Sequence, residues 1–324
     1  MRILITTPVP ADSPRGNGVT ARRWRDMLAD LGHETELCSE WERGADGDRD
    51  YDLLIALHAD HSHDAVKAFH ERFPGGRVIV VMTGTDLYLD VPAGSPRALA
   101  SMEIADRIVV LHPCAFEALP ETARGRARLV IQSAAPPVPM PKKRRDMFCV
   151  CVLAHVRSIK HPLAAARAAR RLPPESKVHV TLAGDVLEDE MRAELMEEAR
   201  DNERFDWLGE LPPDQALELV AASDLLVMSS ELEGGANVIS EALACAVPVL
   251  ASRIPAAIGM LGPEYPGLFP AEDEAALANL LQRAEGDAAF LEALTECCRE
   301  VATLVDPRRE RSALAGVLTE LMAE

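Results

Sequence analysis

A short segment in the second half of the chain contains two carboxylates and two adjacent glycines that could bind a nucleotide. Gly234 and Gly235 directly follow Glu233, and seven residues separate Glu233 from Glu241. Adjacent glycines let a backbone approach a ligand closely, and a helix that begins after them offers free N–H groups to a phosphate. A carboxylate can accept both hydroxyls of a ribose. These residue types favour a nucleotide site; an ordinary strand–turn–helix with surface acids is the alternative.

Two cations follow another apolar run. Arg157 and Lys160 stand where a predicted strand ends and a helix begins. A guanidinium fork and an ammonium point charge beside a helix start suit a diphosphate. The alternative is a basic helix start on the surface.

A proline- and glycine-rich loop follows the first predicted strand and contains Gly16 and Asn17. Such a loop can present backbone N–H groups to an anion. Its glycine spacing does not match a nicotinamide-binding fingerprint. We expect Arg15, Thr20 and Arg23 to meet an anionic acceptor, with solvated arginines as the alternative.

Polar side chains follow three further apolar runs. Thr83, Thr85 and Asp86 come after one of them, and His58 and His112 come after two others. The carboxyl ends of parallel strands are where such folds bind ligands. The histidines are candidate acids, bases or phosphate donors. For Asp86 the alternative is a cap on the next segment.

The histidines and aspartates of residues 58–64 could be interpreted as a metal cluster. Their spacing matches no zinc signature, and ligands so close in sequence would point in different directions. We expect instead a solvent-facing helix start that is capped by Ser62, and no metal.

Strand-like runs and helical patterns alternate along the chain, which indicates βαβ units and parallel sheets. The predicted strands of the first half are Arg2–Thr6, Glu34–Leu37, Leu53–Leu57, Val78–Met82, Ile108–Leu111 and Arg128–Ile131, and its predicted helices include Val19–Leu31 and Ser62–Arg72. Those of the second half are Phe148–Leu153, Lys177–Ala183, Phe205–Leu208, Asp224–Met228, Pro248–Ala251 and Gly267–Phe269. Its predicted helices are His161–Leu172, Glu188–Asn202, Pro213–Ala221, Gly235–Ala244, Glu272–Glu285, Phe290–Leu304 and Pro307–Met322.

A proline-rich stretch at 134–145 separates the two halves and is predicted to be a linker. The fold class is therefore α/β, with two doubly wound, Rossmann-like domains facing each other across a cleft. We place the domains at residues 1–146 and 147–305. The last segment, 306–324, is expected to be a helix that returns to the first domain.

Composition excludes several classes of protein. The formal net charge of −18 argues against general binding of nucleic acid or of an anionic membrane. No apolar run is long enough to span a bilayer, and no signal peptide is evident, so we expect a cytoplasmic protein. The seven cysteines contain no CxxC motif, which disfavours a zinc ribbon or a thioredoxin-type site.

The segment after Glu233 resembles the signature of GT-B glycosyltransferases, in which Glu-x7-Glu leads into EAxAxGxPVVAS. Residues 241–252 read EALACAVPVLAS and depart from it at Cys245 and Ala246. The resemblance implies that Glu241 holds the ribose of a nucleotide sugar and that Glu233 lies near the sugar. It also implies that the sugar or diphosphate faces the loop amides of Gly234, Gly235, Ala236 and Asn237.

Several motifs resemble one subgroup of that family, the selenosugar synthases of selenoneine biosynthesis. They include DLLIALHA at 52–59, TGTDLY at 83–88, IQSA at 131–134 and EGGANVISEAL at 233–243. The resemblance implies that UDP-N-acetylglucosamine or UDP-glucose reacts with selenophosphate to form a carbon–selenium bond, with loss of UDP and phosphate.

The same resemblance implies a division of roles. Arg157 and Lys160 would neutralise the leaving UDP, and the N-terminal loop would hold the acceptor. Glu233 or Asp86 would stabilise an oxocarbenium-like transition state. Because selenophosphate is already an anion, neither a strong base nor a cofactor is required.

Three alternatives stay open at this point. One is a glycosyltransferase with a hydroxyl acceptor, such as a lipid or polysaccharide. A second is a UDP-sugar 2-epimerase, which would need no acceptor. A third is a non-catalytic binding protein with a ligand between its lobes.

Overall fold

The computed structural model describes residues 1–10, 13, 16–39, 41 and 49–323, so Arg15 lies outside the described residues. The first sheet has six parallel strands in the order β2-β1-β3-β4-β5-β6. Their bounds are Arg2–Thr6 (β1), Glu34–Cys38 (β2), Leu53–Leu57 (β3), Arg77–Val81 (β4), Arg107–Val110 (β5) and Ala127–Leu129 (β6). The helices between them are Gly16–Asp30 (α1), His63–Arg72 (α2), Pro96–Ile104 (α3), Ala115–Ala118 (α4) and Glu121–Arg124 (α5), and a π-helical turn spans Asp86–Asp90.

The second sheet also has six parallel strands, in the order β12-β11-β10-β7-β8-β9. They are Phe148–Leu153 (β7), Val178–Ala183 (β8), Phe205–Trp207 (β9), Leu225–Met228 (β10), Val249–Ser252 (β11) and Leu268–Phe269 (β12). Its α-helices are Ala164–Arg170 (α6), Arg192–Asp201 (α7), Pro213–Ala222 (α8), Asn237–Ala244 (α9), Pro255–Leu261 (α10), Glu274–Gly286 (α11) and Ala288–Val301 (α12). The last helix is Pro307–Met322 (α13), and 3-10 turns occupy Ser158–Lys160, Asp189–Met191 and Ala302–Val305.

The first sheet is buried on both faces. Ile3 and Ile5 pack with Trp24 of α1 and Leu314 of α13, whereas Leu4 packs on the opposite side with the cluster that includes Phe69 of α2. Side chains alternate across a strand, so a strand covered on both faces is apolar throughout. This explains the unbroken apolar runs in the sequence.

The chain divides into two compact units. The first comprises Met1–Gln132, Glu233–Gly235 and Pro307–Glu324, and the second comprises Ser133–Leu232 and Ala236–Asp306. The boundary thus falls after Gln132, and the proline-rich stretch that we predicted to end the first domain belongs to the second unit.

The predicted α/β class with parallel sheets is confirmed, and the predicted bounds of β1, β3, β7 and α13 agree with the structure. The helix predicted from His161 begins only at Ala164, because His161 adopts a left-handed backbone conformation and Pro162 follows it. Helices α3, α4, α5 and α10 are not among the helices named from the sequence, although Ser95 caps α3 and Pro96 begins it. Within the described residues, no helix combines the length and apolarity needed to cross a bilayer.

Candidate active site

The connection from β10 to α9 contains Glu233 and the two glycines that suggested a nucleotide site, and Glu241 lies on α9 itself. Ala236 precedes α9 with φ 47°, a left-handed conformation that non-glycine residues rarely adopt. Two polar atoms at the start of α9, Asn237 Oδ1 and Ser240 Oγ, are buried and have no hydrogen-bond partner in the described part of the chain. Glu241 follows one helical turn after Asn237. Unpartnered buried polar groups beside a helix start are consistent with a polar ligand at this position.

The three residues Glu233–Gly235 belong to the first unit by their contacts. A Cβ on Gly234 would lie 2.1 Å from the carbonyl oxygen of Thr83, and one on Gly235 would lie 1.9 Å from Gln132 Oε1. The sequence suggested that glycines occur here so that a ligand can approach. The structure gives a further reason: protein atoms already occupy the space that a side chain would need.

The loop after β7 contains both predicted diphosphate-binding cations. Arg157 Nε lies 3.6 Å from Glu188 Oε1, and both side chains are partly exposed. Glu188 also accepts the Ser158 backbone N–H at 2.7 Å. The hydrogen bonds from Ser158, with the Arg157 charge, lower the pKa of Glu188. An ion pair that is this long and exposed is weak, so Arg157 can leave Glu188 at little cost in free energy.

Backbone contacts join this loop to the residues after β10, and both segments belong to the second unit. The backbone N–H of Glu231 donates to Ile159 O at 2.9 Å. Ser229 Oγ donates to the His161 carbonyl at 2.8 Å. The structure therefore brings the Arg157–Lys160 segment beside the beginning of the β10–α9 connection.

One side-chain cluster in the second unit was not predicted. The ligand atoms of His161, Glu231 and Glu272 lie within 4.8 Å of one another, and among the described residues no other set of three is as close. His161 Nε2 and Glu231 Oε1 form a direct contact. This imidazole and carboxylate are hydrogen-bond partners of each other, which explains the cluster without a metal ion.

In the first unit, Asp86 is fully buried. Its Oδ1 accepts the backbone N–H groups of Thr83, Gly84 and Leu87, and its Oδ2 accepts that of Ala59, each at 2.9 Å. The carboxylate thus ties the loop after β4 to the loop after β3. These contacts favour a positioning role for Asp86 over the transition-state role that we had considered.

His58 and Thr85 form a second tie between the same loops. His58 is buried, has φ 74°, and places Nε2 2.8 Å from Thr85 Oγ1. Its Nδ1 accepts the backbone N–H of His61 at 3.2 Å. Burial lowers the pKa of His58, so the imidazole is neutral at pH 7.

His112 is also buried at the end of its strand. Its Nε2 lies 2.9 Å from the hydroxyl oxygen of Tyr88, and its Nδ1 has no partner among the described residues. Burial lowers the pKa of His112 to about 4. Neither His58 nor His112 therefore offers a positive charge to an anion at neutral pH.

The N-terminal residues that were expected to bind an anion have other contacts in the structure. Gly16 and Asn17 form the first turn of α1 rather than a loop. Thr20 is buried, donates to Gly16 O at 2.8 Å and accepts Gln132 Nε2. Arg23 forms an ion pair with Glu310. The fold uses these groups to hold α1 in place.

The histidine and aspartate side chains of residues 58–64 contact different parts of the first unit and do not surround a common point. His63 contacts Ser101, Asp64 pairs with Arg97, and Asp60 accepts the Ser95 hydroxyl. The capping prediction for Ser62 is wrong, because its hydroxyl donates to Leu57 O at 2.6 Å instead of accepting a helix N–H.

Buried cysteines offer no nucleophile. Burial raises the pKa of Cys151 to about 12 and that of Cys245 to about 11. Both are protonated thiols at neutral pH and act as small apolar side chains.

A cavity of about 660 Å³ lies at the opposite edge of the first sheet. Asp52 and Arg77, at the beginnings of β3 and β4, line it together with Met1 and residues of α13. The groups described above lie at the carboxyl ends of the same strands. This cavity is therefore not part of the candidate site.

Comparison with known proteins identifies the family. Residues 135–300, about half of the chain, match the family model for group 1 glycosyl transferases, and the chain belongs to this family. By sequence, no curated protein gives a significant match.

Solved structures with low sequence identity share the fold. The Anabaena protein HepE in complex with UDP-glucose is 18% identical with a TM-score of 0.77, and the alignment covers 99% of this chain and 100% of that one. HepE in complex with UDP and glucose is 17% identical with a TM-score of 0.75, and the coverage of both chains is the same. Sucrose-phosphate synthase from Thermosynechococcus elongatus is 17% identical with a TM-score of 0.79, and the alignment covers 99% of each chain. The fold is that of the GT-B glycosyltransferases.

Proposed function

We propose that this chain transfers a sugar from UDP-N-acetylglucosamine or UDP-glucose to selenophosphate. The selenium attacks the anomeric carbon, the bond to UDP breaks, and water then releases phosphate from selenium to leave a selenosugar. The observation that carries the donor assignment is the Glu233-to-Glu241 segment, with its two glycines and its unpartnered polar atoms at the start of α9. The complexes of HepE with UDP and UDP-glucose support a UDP-sugar donor.

On the donor side, Glu241 accepts the ribose hydroxyls and the amides of 234–237 face the diphosphate. Arg157 and Lys160 neutralise the charge that develops on the leaving UDP, and such electrostatic stabilisation is a major source of rate enhancement. Glu233 stabilises positive charge on the sugar. The long contact between Arg157 and Glu188 lets the guanidinium turn to the diphosphate at little cost.

On the acceptor side, the nucleophile needs no general base because selenophosphate is an anion. The described residues at the carboxyl ends of β3 and β4 supply hydroxyls, from Thr83 and Thr85, instead of cations. Asp86 holds their loop. We propose that these hydroxyls bind the phosphate oxygens.

The first experiment measures UDP release from each UDP-sugar by the purified protein under anaerobic conditions, with and without selenophosphate. We expect release that depends on selenophosphate and a selenium-containing sugar by mass spectrometry. Release without selenophosphate would refute this acceptor and favour a hydroxyl acceptor. Conversion of the UDP-sugar without release would indicate the 2-epimerase.

A second experiment tests the ribose contact by calorimetry with UDP. We expect Glu241→Gln to weaken UDP binding about tenfold, since a hydrogen bond to a charged group contributes about 1.5 kcal/mol or more. Glu218→Gln on the exposed face of α8 is the matched control. Equal UDP affinity in the Glu241 variant and the wild type would contradict the assignment.

A further inference from the structure

We propose that His58 is a positioning residue that fixes the Thr85 hydroxyl as a hydrogen-bond donor to a phosphate oxygen of the acceptor. This inference rests on the proposed function and deepens it, because it assigns the acceptor contact to one atom.

The hydrogen bonds of His58 determine its tautomer. Nδ1 accepts the backbone N–H of His61 at 3.2 Å, so Nδ1 carries no proton. A neutral imidazole has one N–H, which must then be on Nε2. Nε2 lies 2.8 Å from Thr85 Oγ1. The imidazole therefore donates and the Thr85 oxygen accepts.

This direction excludes one role for the pair and favours another. A histidine that activates a hydroxyl must accept its proton, and Nε2 cannot, so Thr85 is not a nucleophile. With its oxygen engaged by Nε2–H, the Thr85 hydroxyl proton is free to point elsewhere. A hydroxyl that accepts one hydrogen bond becomes a better donor for the next.

The surrounding loop leaves few other donors for an anion. The backbone N–H groups of Thr83 and Gly84 already donate to Asp86, and so does that of Ala59 beside His58. Thr85 is half-buried, whereas His58 is 3% exposed. Thr85 is thus the residue of the pair that a substrate can reach.

Backbone hydrogen bonds hold His58 in the position from which its ring contacts Thr85. Its N–H donates to Val81 O at 2.9 Å and its carbonyl accepts the N–H of Ser62 at 3.0 Å. His58 holds a left-handed conformation with φ 74°, which such bonds must maintain in a non-glycine residue. The ring is also stacked on His61, with centroids 3.9 Å apart.

The test combines steady-state kinetics with variants at both positions. We expect Thr85→Val to raise the KM for selenophosphate about tenfold and to leave the KM for the UDP-sugar unchanged. Thr85→Ser should recover most of the lost affinity. His58→Gln keeps an N–H near the Nε2 position and should raise this KM less than His58→Phe does. Thr122→Val on the exposed α5 is the matched control.

A second readout does not depend on turnover. Long-range 15N–1H NMR of the full chain should show His58 with protonated Nε2 and unprotonated Nδ1 between pH 7 and 8, and Thr85→Val should shift the Nε2 signal. A proton on Nδ1, or an unchanged selenophosphate KM in Thr85→Val, would overturn the inference. Failure of the proposed function looks different, since the wild type would then release no selenophosphate-dependent UDP while the His58 tautomer stays as stated.

Discussion

Trp24 donates its indole N–H to Glu310 Oε1 across 2.7 Å, although the two residues are 286 positions apart in the chain. Arg23 Nε donates to the other oxygen of the same carboxylate at 2.9 Å. Glu310 is fully buried, so its charge depends on these donors from α1. This contact attaches α13 to the beginning of the chain.

We expect Glu310→Ala to lower the free energy of unfolding by about 3 kcal/mol, because it leaves Arg23 without its ion-pair partner in a largely buried place. Glu310→Gln, which still accepts from Trp24, should lose about 1–2 kcal/mol. Glu320→Gln on the same helix is the control. Glu320 is itself half-exposed. Its carboxylate pairs with the partly exposed Arg128 and lies 3.6 Å from the buried Arg107, so we expect a smaller loss, of about 1 kcal/mol. Urea unfolding checks the order, and equal losses at 310 and 320 would contradict it.

The glycine pair should respond unequally to substitution. In Gly234→Ala the new methyl meets the Thr83 backbone, which cannot move aside, and overpacking of this kind costs about 1–3 kcal/mol. We expect at least about a tenfold loss of UDP-sugar turnover. Gly235→Ala meets the end of the flexible Gln132 side chain and should lose less. Gly316→Ala in α13 has open space and should leave turnover unchanged. A larger loss of turnover in Gly235→Ala than in Gly234→Ala would contradict this prediction.

Asp86→Asn should loosen the loop that contains Thr83. The amide offers one acceptor oxygen in place of two, and its NH2 group faces backbone donors, so we expect a cost of about 2–3 kcal/mol. Hydrogen exchange should become faster at Ala59, Gly84 and Leu87. Asp90→Asn at the end of the same turn should leave those amides protected. If amide hydrogen exchange in Asp86→Asn is the same as in the wild type, Asp86 does not position this loop.

His112 makes stability depend on pH in the acid range. Its pKa is about 4 when folded and near the ordinary 6.5 when unfolded. Between these values the unfolded chain binds a proton that the folded chain does not, so the free energy of unfolding falls as pH falls. The contribution is about 3 kcal/mol and is complete above pH 6.5. His112→Gln should show a shallower pH dependence than the wild type. NMR detection of a protonated His112 at pH 6 would contradict this prediction.

The strands of the first sheet could be predicted from the sequence because a sheet that is covered on both faces has strands that are apolar throughout. Leu53–Leu57 is buried throughout and has its predicted bounds. The Glu233-to-Glu241 segment identified the family because its residue types and spacing are local. Gln132 was overlooked as a site neighbour, although it follows β6 in the same way that His112 follows β5.

Other features had no local signal. Nothing near Arg23 indicates that its partner is Glu310, because the pair exists only after α13 packs on α1. The left-handed backbones of His58 and His161 are maintained by surrounding contacts, since neither is glycine or asparagine. The tautomer of His58 follows from the His61 backbone N–H, which only coordinates reveal.

The placement of α13 affects how the protein is made. Leu314 and Leu318 complete the apolar cluster that contains Ile3, Ile5 and Trp24, yet the ribosome synthesises them after the whole second unit. Before α13 is made, α1 covers only part of this apolar face of the earliest strands, and the rest is exposed. A growing chain with such a face is prone to aggregate or to recruit chaperones until its last helix emerges.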